Sequence, residues 1–199
     1  MIDLARYIVG ITGASGSIYG VRLMEELLKR NHEIHLVLTN NGEKVLSYEL
    51  RKDLKSIIEE LKIFNEKLLI HDINNLFAPI ASGSFKVDGM VIIPCSMSTL
   101  AEVSSGASKN LLGRAADVCI KEKRNLILVP RETPLSPIHL RNMLYLSEIG
   151  VKILPAMPGF YHHPESIDDI VNSIVGRVLE GLGIENTLYS KWCGGNFND

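Results

Sequence analysis

The residues able to do chemistry sit directly behind short apolar runs. Residues 7–12 lead into Gly13-Ala14-Ser15-Gly16-Ser17, residues 33–39 into Asn40-Asn41, and residues 89–94 into Cys95-Ser96-Met97-Ser98-Thr99. Residues 125–130 lead into Arg131-Glu132-Thr133-Pro134, and residues 151–155 into Ala156-Met157-Pro158-Gly159-Phe160-Tyr161. Gly10, Gly13, Gly16 and Gly20 match neither GxGxxG nor GxxxxGK[ST], which argues against a nucleoside triphosphate site. Such a loop either brings backbone N–H groups close to an anion or flat heterocycle, or is simply a tight turn. Ser96, Ser98 and Thr99 read equally as a phosphate cradle and as an N-cap cluster. Arg131 leaves an apolar run where a guanidinium suits bidentate phosphate recognition, and Glu132 beside it is either a proton-transfer group or half of a surface pair. Arg114, Lys121 and Arg177 lie near or on elements leading to the same rim, each a phosphate-directed cation or a solvated surface residue. Cys95 has no adjacent histidine base and reads as inert packing, and His162-His163 without a third ligand makes a poor metal site.

The elements that must position these groups follow from hydrophobic period. The runs 7–12, 33–39, 89–94, 125–130 and 151–155 read as strands, with 68–71 a shorter addition. Between them, Val21, Met24, Leu27 and Leu28, and Leu111, Leu112, Ala115, Ala116, Cys119 and Ile120, have helical spacing. Near-continuous apolar strands alternating with amphipathic helices predict a three-layer α/β fold, a mostly parallel sheet covered on both faces. Ligands bind such sheets at the carboxyl ends of the strands, where all five loops fall. The Lys- and Glu-rich stretch 47–67 predicts one solvated helix. Ser166 with Asp169 resembles a capping box opening a helix to about Leu182, and the tail 185–199 has no clear period.

Composition sets the bounds. A 199-residue chain, 46% hydrophobic, predicts a single domain over 1–199. A net charge of −2 provides no basic field for nucleic acid. Cys95, Cys119 and Cys193 are odd in number and lack metal-ligand spacing, which suggests a reducing compartment. No apolar run is long enough to span a bilayer and the first six residues lack a signal-peptide layout, so a cytoplasmic protein without membrane partners is expected.

Several segments resemble the UbiX-type flavin prenyltransferases, a family that includes proteins once described as aromatic-acid decarboxylases. They are Gly10-Ile11-Thr12-Gly13-Ala14-Ser15-Gly16, Pro94-Cys95-Ser96-Met97-Ser98-Thr99-Leu100-Ala101, Asn110-Leu111-Leu112-Gly113-Arg114-Ala115-Ala116-Asp117-Val118, Pro130-Arg131-Glu132-Thr133-Pro134-Leu135 and Pro158-Gly159-Phe160-Tyr161-His162. The resemblance covers nearly the whole chain. It implies a flavodoxin-like, Rossmann-like fold and a homododecamer with active sites between subunits, the tail lying at an interface. It further implies FMN held by Gly13, Ala14, Ser15, Thr39, Ser96, Met97, Ser98, Thr99 and Arg131. Dimethylallyl monophosphate would be held by Tyr161, Arg177, Arg114, Lys121, Arg131 and Trp192, with Glu132, Ser15 and Glu49 catalytic and no metal. The implied reaction joins the prenyl group to N5 and C6 of reduced FMN, and the prenylated FMN passes to a UbiD-type decarboxylase. Many relatives carry a tryptophan just before Ala78-Pro79-Ile80-Ala81-Ser82-Gly83, where this chain has Leu76-Phe77, and this bears on donor preference. Two rival readings are an FMN-dependent decarboxylase of the phosphopantothenoylcysteine type and a noncatalytic flavin carrier. The first expects a PxMNxxMW-like segment where this chain reads Pro94-Cys95-Ser96-Met97-Ser98-Thr99-Leu100, and the second has no use for a second phosphate site.

Overall fold

The computed structural model describes residues 4–192 and 194. Cys193, the first three residues and residues 195–199 lie outside the described set, and with them part of the tail and signal-peptide readings. Six parallel strands are joined in the order β3-β2-β1-β4-β5-β6. They are β1 (Arg6–Ile11), β2 (Glu33–Leu38), β3 (Leu68–His71), β4 (Gly89–Cys95), β5 (Asn125–Pro130) and β6 (Lys152–Ile153). Each register is parallel, for example Gly10 beside Val37 on one side and Ile92 on the other.

The alternation of side chains along these strands splits the core. Val9, Ile11, Leu36, Val91 and Val129 face α1 (Ser17–Lys29), α2 (Asn40–Leu50), α3 (Leu54–Lys62) and α7 (Ile167–Leu182). Ile8, Val37, Met90, Ile92 and Leu128 face α4 (Met97–Ser104), α5 (Leu111–Lys121) and α6 (Pro137–Glu148). The first half of the chain builds outward from β1 with helices on one face, and the second builds outward from β4 in the opposite direction with α4 to α6 on the other. Right-handed crossovers require that change of face, and the reversal opens a crevice at the carboxyl ends of β1 and β4.

The structure corrects two expectations. The stretch 47–67 is not one helix: α2 stops at Leu50, Arg51 is left-handed at φ 52°, and Asp53 caps α3 by accepting the Ser56 amide at 2.7 Å. Nor is α3 merely solvated, since Ile57, Ile58 and Leu61 are buried among its charged neighbours. The expected strand 151–155 contracts to Lys152–Ile153, because only these two residues hold ladder register with Ile127 and Leu128. The capping box of α7 is formed as expected, Ser166 accepting the Asp169 amide and Asp169 accepting the Ser166 amide. Among the described residues no helix is long and apolar enough to cross a membrane.

Candidate active site

Thr12 directly follows β1 at the crevice and is fully buried. Its hydroxyl donates to the Pro94 carbonyl at 2.8 Å and accepts the Ser96 amide at 2.7 Å, so one side chain locks the ends of β1 and β4 together. Ser96 then caps α4, accepting the Thr99 amide at 3.3 Å and bonding the Thr99 hydroxyl at 3.1 Å. Thr39 does the same for α2 through the Gly42 amide at 3.0 Å. Gly42 has to be glycine, because a Cβ there would stand 2.4 Å from the Ile11 carbonyl oxygen. Gly13, Thr39, Asn41, Ser96, Ser98, Thr99 and Asn110 line a cleft of about 630 Å³. Ala14 and Met97, both expected at the flavin, are buried and do not line the cleft. Three capped helix starts, small residues and a polar open cleft suit a flat ligand carrying an anionic arm, so the residues present fit a flavin nucleotide.

The start of α1 is already occupied by a carboxylate from within the chain. Glu49, on the last turn of α2, accepts the Gly16 amide at 3.1 Å and the Ser17 amide at 2.9 Å. Burial pushes its carboxyl up, but hydrogen bonds from the Ser15 side chain and the Ser17 and Gly16 amides outweigh this and hold it below the usual range. The expected help of this helix N-terminus to a ligand anion is therefore taken up by Glu49. Arg131 reaches the same loop, its Nε donating to the Ser15 carbonyl at 3.2 Å. Glu132 is exposed, and its carboxylate accepts the Thr133 amide at 3.0 Å rather than closing on Arg131.

Tyr161, Arg177 and Trp192 meet elsewhere, lining a cavity of about 510 Å³ that shares no lining residue with the cleft. The Tyr161 and Trp192 rings stand edge to face at 6.3 Å. Arg114 and Lys121 join neither group. Arg114 donates to the Ala81 carbonyl at 3.1 Å and to Asp117 at 2.6 Å. Lys121 lies about 10 Å further along α5, where the chain turns toward the start of β5, and pairs with Glu122. That places it at the opposite end of the sheet from the rim expected from sequence. Phe77 is fully exposed and lines neither space. Cys95 is buried with its thiol pushed far up by desolvation, and Cys119 is pushed up to about 11, so neither is a thiolate nucleophile. Among the described residues no three His, Cys, Asp or Glu side chains gather as a metal site. Sequence reasoning gave no role to Thr12, visible as a hydroxyl between an apolar strand and the glycines, nor to Asn110, the cap of α5.

Comparison with known proteins agrees with this geometry. A family model described as Flavoprotein matches residues 2–179. The flavin prenyltransferase UbiX of Alkalihalophilus pseudofirmus is 55% identical over 92% of this chain and 94% of its own length. The crystal structure of a dodecameric FMN-dependent Ubix-like decarboxylase from Escherichia coli O157:H7 superposes with a TM-score of 0.88 at 45% identity, covering 95% of this chain and 100% of that one. That of AnUbiX in complex with FMN and dimethylallyl pyrophosphate superposes at 0.91 with 39% identity over 98% of this chain and 100% of that one. With its parallel sheet, its crevice of capped helices and relatives matched almost end to end, the chain belongs to the flavoprotein family and, within it, to the UbiX-type flavin prenyltransferases.

Proposed function

We propose that this chain transfers a dimethylallyl group from dimethylallyl monophosphate to N5 and C6 of reduced FMN, and that the prenylated FMN serves a UbiD-type decarboxylase. The observation that carries this reading is the gathering of Arg177 with the Tyr161 and Trp192 rings around a space apart from the cleft of caps and glycines. A carrier has no use for that space. Relatives named flavin prenyltransferase favour transfer over a phosphopantothenoylcysteine-type decarboxylation. Reduced FMN supplies the nucleophilic positions and the prenyl phosphate the electrophile.

The chain's own residues then divide the work. Gly13, Ala14, Thr39 and the segment Ser96, Met97, Ser98 and Thr99 hold FMN, with Arg131 fixed on the Ser15 carbonyl beside it. Ser15 and Glu49 hold the edge of the glycine loop, and exposed Glu132 moves a proton. Because the two spaces share no residue within one chain, the cavity of one copy must open onto the cleft of a neighbour, where Arg177 and the Tyr161 hydroxyl take the phosphate and stabilise the charge that grows on it as it leaves, in the role a divalent metal fills elsewhere. The faces of Trp192 and Tyr161 attract the allylic cation left behind. Arg114 and Lys121 add positive charge from a neighbouring copy, since within one chain they stand apart from both spaces. A homododecamer is supported by the dodecameric relative and by the apolar outer face of α6, where Ile138, Leu140 and Leu144 are exposed beside Tyr145. In this reading 1–199 is one flavoprotein domain with its tail, from about 185, at a subunit interface. The free buried thiols of Cys95 and Cys119 suit the cytoplasm.

The test is mass spectrometry of flavin recovered after incubating the protein with reduced FMN and dimethylallyl monophosphate. A gain of one prenyl unit is expected; recovery of unmodified FMN only would overturn the proposal.

A further inference from the structure

The Arg177 guanidinium does not stand alone at its cavity. Its Nη1 donates to Glu180 Oε2 at 3.0 Å, one turn further along α7. Glu180 receives two more partners from the segment after the helix: the Tyr189 hydroxyl, at 3.1 and 3.0 Å from its two oxygens, and the Lys191 ammonium at 2.9 Å. That segment is laid back along α7 by design of its residues. Asn186 is buried and donates to the Gly176 carbonyl at 3.0 Å while accepting the Leu188 amide at 3.2 Å. Gly176 leaves room for the Tyr189 ring, since a Cβ there would lie 2.6 Å from it. Trp192 follows Lys191 directly and forms a wall of the Arg177 cavity.

We infer that Glu180 is the positioning residue of the prenyl-phosphate site: it aims Arg177 and, through Tyr189 and Lys191, pins Trp192 in place as a wall of the cavity. The inference rests on the reading of that cavity given above. An exposed arginine paired with one surface carboxylate gains little, and it keeps rotamer freedom that a ligand must then remove. Arg177 is itself 61% exposed, but its carboxylate, only 21% exposed, gathers two cations and a phenol, so the guanidinium is tied to a fixed anchor before the phosphate arrives. Burial pushes the Glu180 carboxyl up, but Lys191, Tyr189 and Arg177 together hold it below its usual range, so it stays charged.

The sign of the effect separates positioning from competition. Glu180→Gln should raise the KM for dimethylallyl monophosphate about tenfold, as expected for one lost charge-assisted hydrogen bond, with kcat changed less than about twofold. In an Arg177→Ala background the same substitution should raise KM by clearly less than in the parent, because the part of its effect that runs through Arg177 is already lost. Trp192 is the single tryptophan, so its fluorescence anisotropy before flavin is added reports the segment directly. It should fall in Glu180→Gln and in Tyr189→Phe, a variant that keeps the ring over Gly176, and recover in part in Glu180→Asp. A lower KM in Glu180→Gln, equal effects in both backgrounds, or parental anisotropy in both variants overturns the inference. If Arg177→Ala leaves KM unchanged, the cavity reading fails and the inference falls with it. If Arg177→Ala raises KM while Glu180→Gln does not, only the role of Glu180 is lost.

Discussion

The cleft between β1 and β4 and the cavity behind Tyr161 are built from different materials. The cleft is backbone and short side chains: Thr12, Thr39 and Ser96 each satisfy amides at the start of an element or tie two strand ends. The cavity is long side chains, Tyr161, Arg177 and Trp192, from a loop, a helix and a tail segment, with Arg177 and the Lys191 beside Trp192 both paired to Glu180. A site of the first kind is fixed when the sheet forms. One of the second kind depends on charges that can be removed without disturbing the core.

The largest expected effect concerns the group belonging to neither. Glu132→Gln keeps shape and hydrogen bonding but loses the titratable proton, so single-turnover flavin absorbance should show the rate falling by ~10²- to 10⁴-fold. FMN affinity and the KM for the prenyl phosphate should stay parental; a parental rate instead removes Glu132 from proton transfer and leaves the departing phosphate as base.

Next comes Thr12→Val, which tests whether the cleft is part of the fold. It deletes a buried hydroxyl with two partners and leaves the Ser96 amide and one lone pair of the Pro94 carbonyl unsatisfied, at a cost of about 1–3 kcal/mol in urea unfolding. FMN affinity should drop with it. Arg177→Ala is the matching test of the cavity: a KM for dimethylallyl monophosphate raised by about 10- to 100-fold, with the urea midpoint and FMN affinity unchanged. If Arg177→Ala destabilised the protein as much as Thr12→Val, the contrast between the two regions would collapse.

The smallest effect is in acid. Glu49 has a folded pKa below its ordinary value of 4.5, so its tie to the α1 amides contributes stability that is fully present above about pH 4.5 and lost as pH falls through the lower folded value. Glu49→Gln should therefore lose less of its urea midpoint than the parent across that acid window. Equal acid sensitivity of the two proteins would show that the tie is energetically silent.

Much of this was legible in the sequence for a physical reason: β-branched runs of strand length and glycine- or hydroxyl-rich exits are local signals. The break between α2 and α3 was missed because Arg51, not a glycine, takes the left-handed turn, although Asp53 three residues before Ser56 and the spacing of Ile57, Ile58 and Leu61 mark a new helix. Family resemblance alone pointed to Glu49, as a catalytic residue, and its tie to the Gly16 amide was not foreseen, since the two are far apart in sequence and meet by packing of α2 against α1. Seeing one rim in five loops also concealed the separation of the two spaces. The chain after β6 runs a long way before α7, and nothing local in residues 154–166 says that Tyr161 will face Trp192 instead of the cleft. The Glu180 cluster was invisible for a similar reason, as Tyr189 and Lys191 lie in a segment with no period at all.

The brevity of β6 has a consequence for how copies of this chain can meet. An outermost strand of two residues, with Lys152 folded onto the Gly181 carbonyl, offers almost no row of unpaired amides for another chain to extend. At the other margin β3 is only four residues long and carries exposed Leu69 and Ile70. Sheet-to-sheet growth, the generic and orientation-blind way for parallel strands to associate, is thus blunted at β6 and confined to a short margin at β3. Association is left to helix and loop side chains, whose shapes fix one orientation, and this favours closed assemblies over fibres.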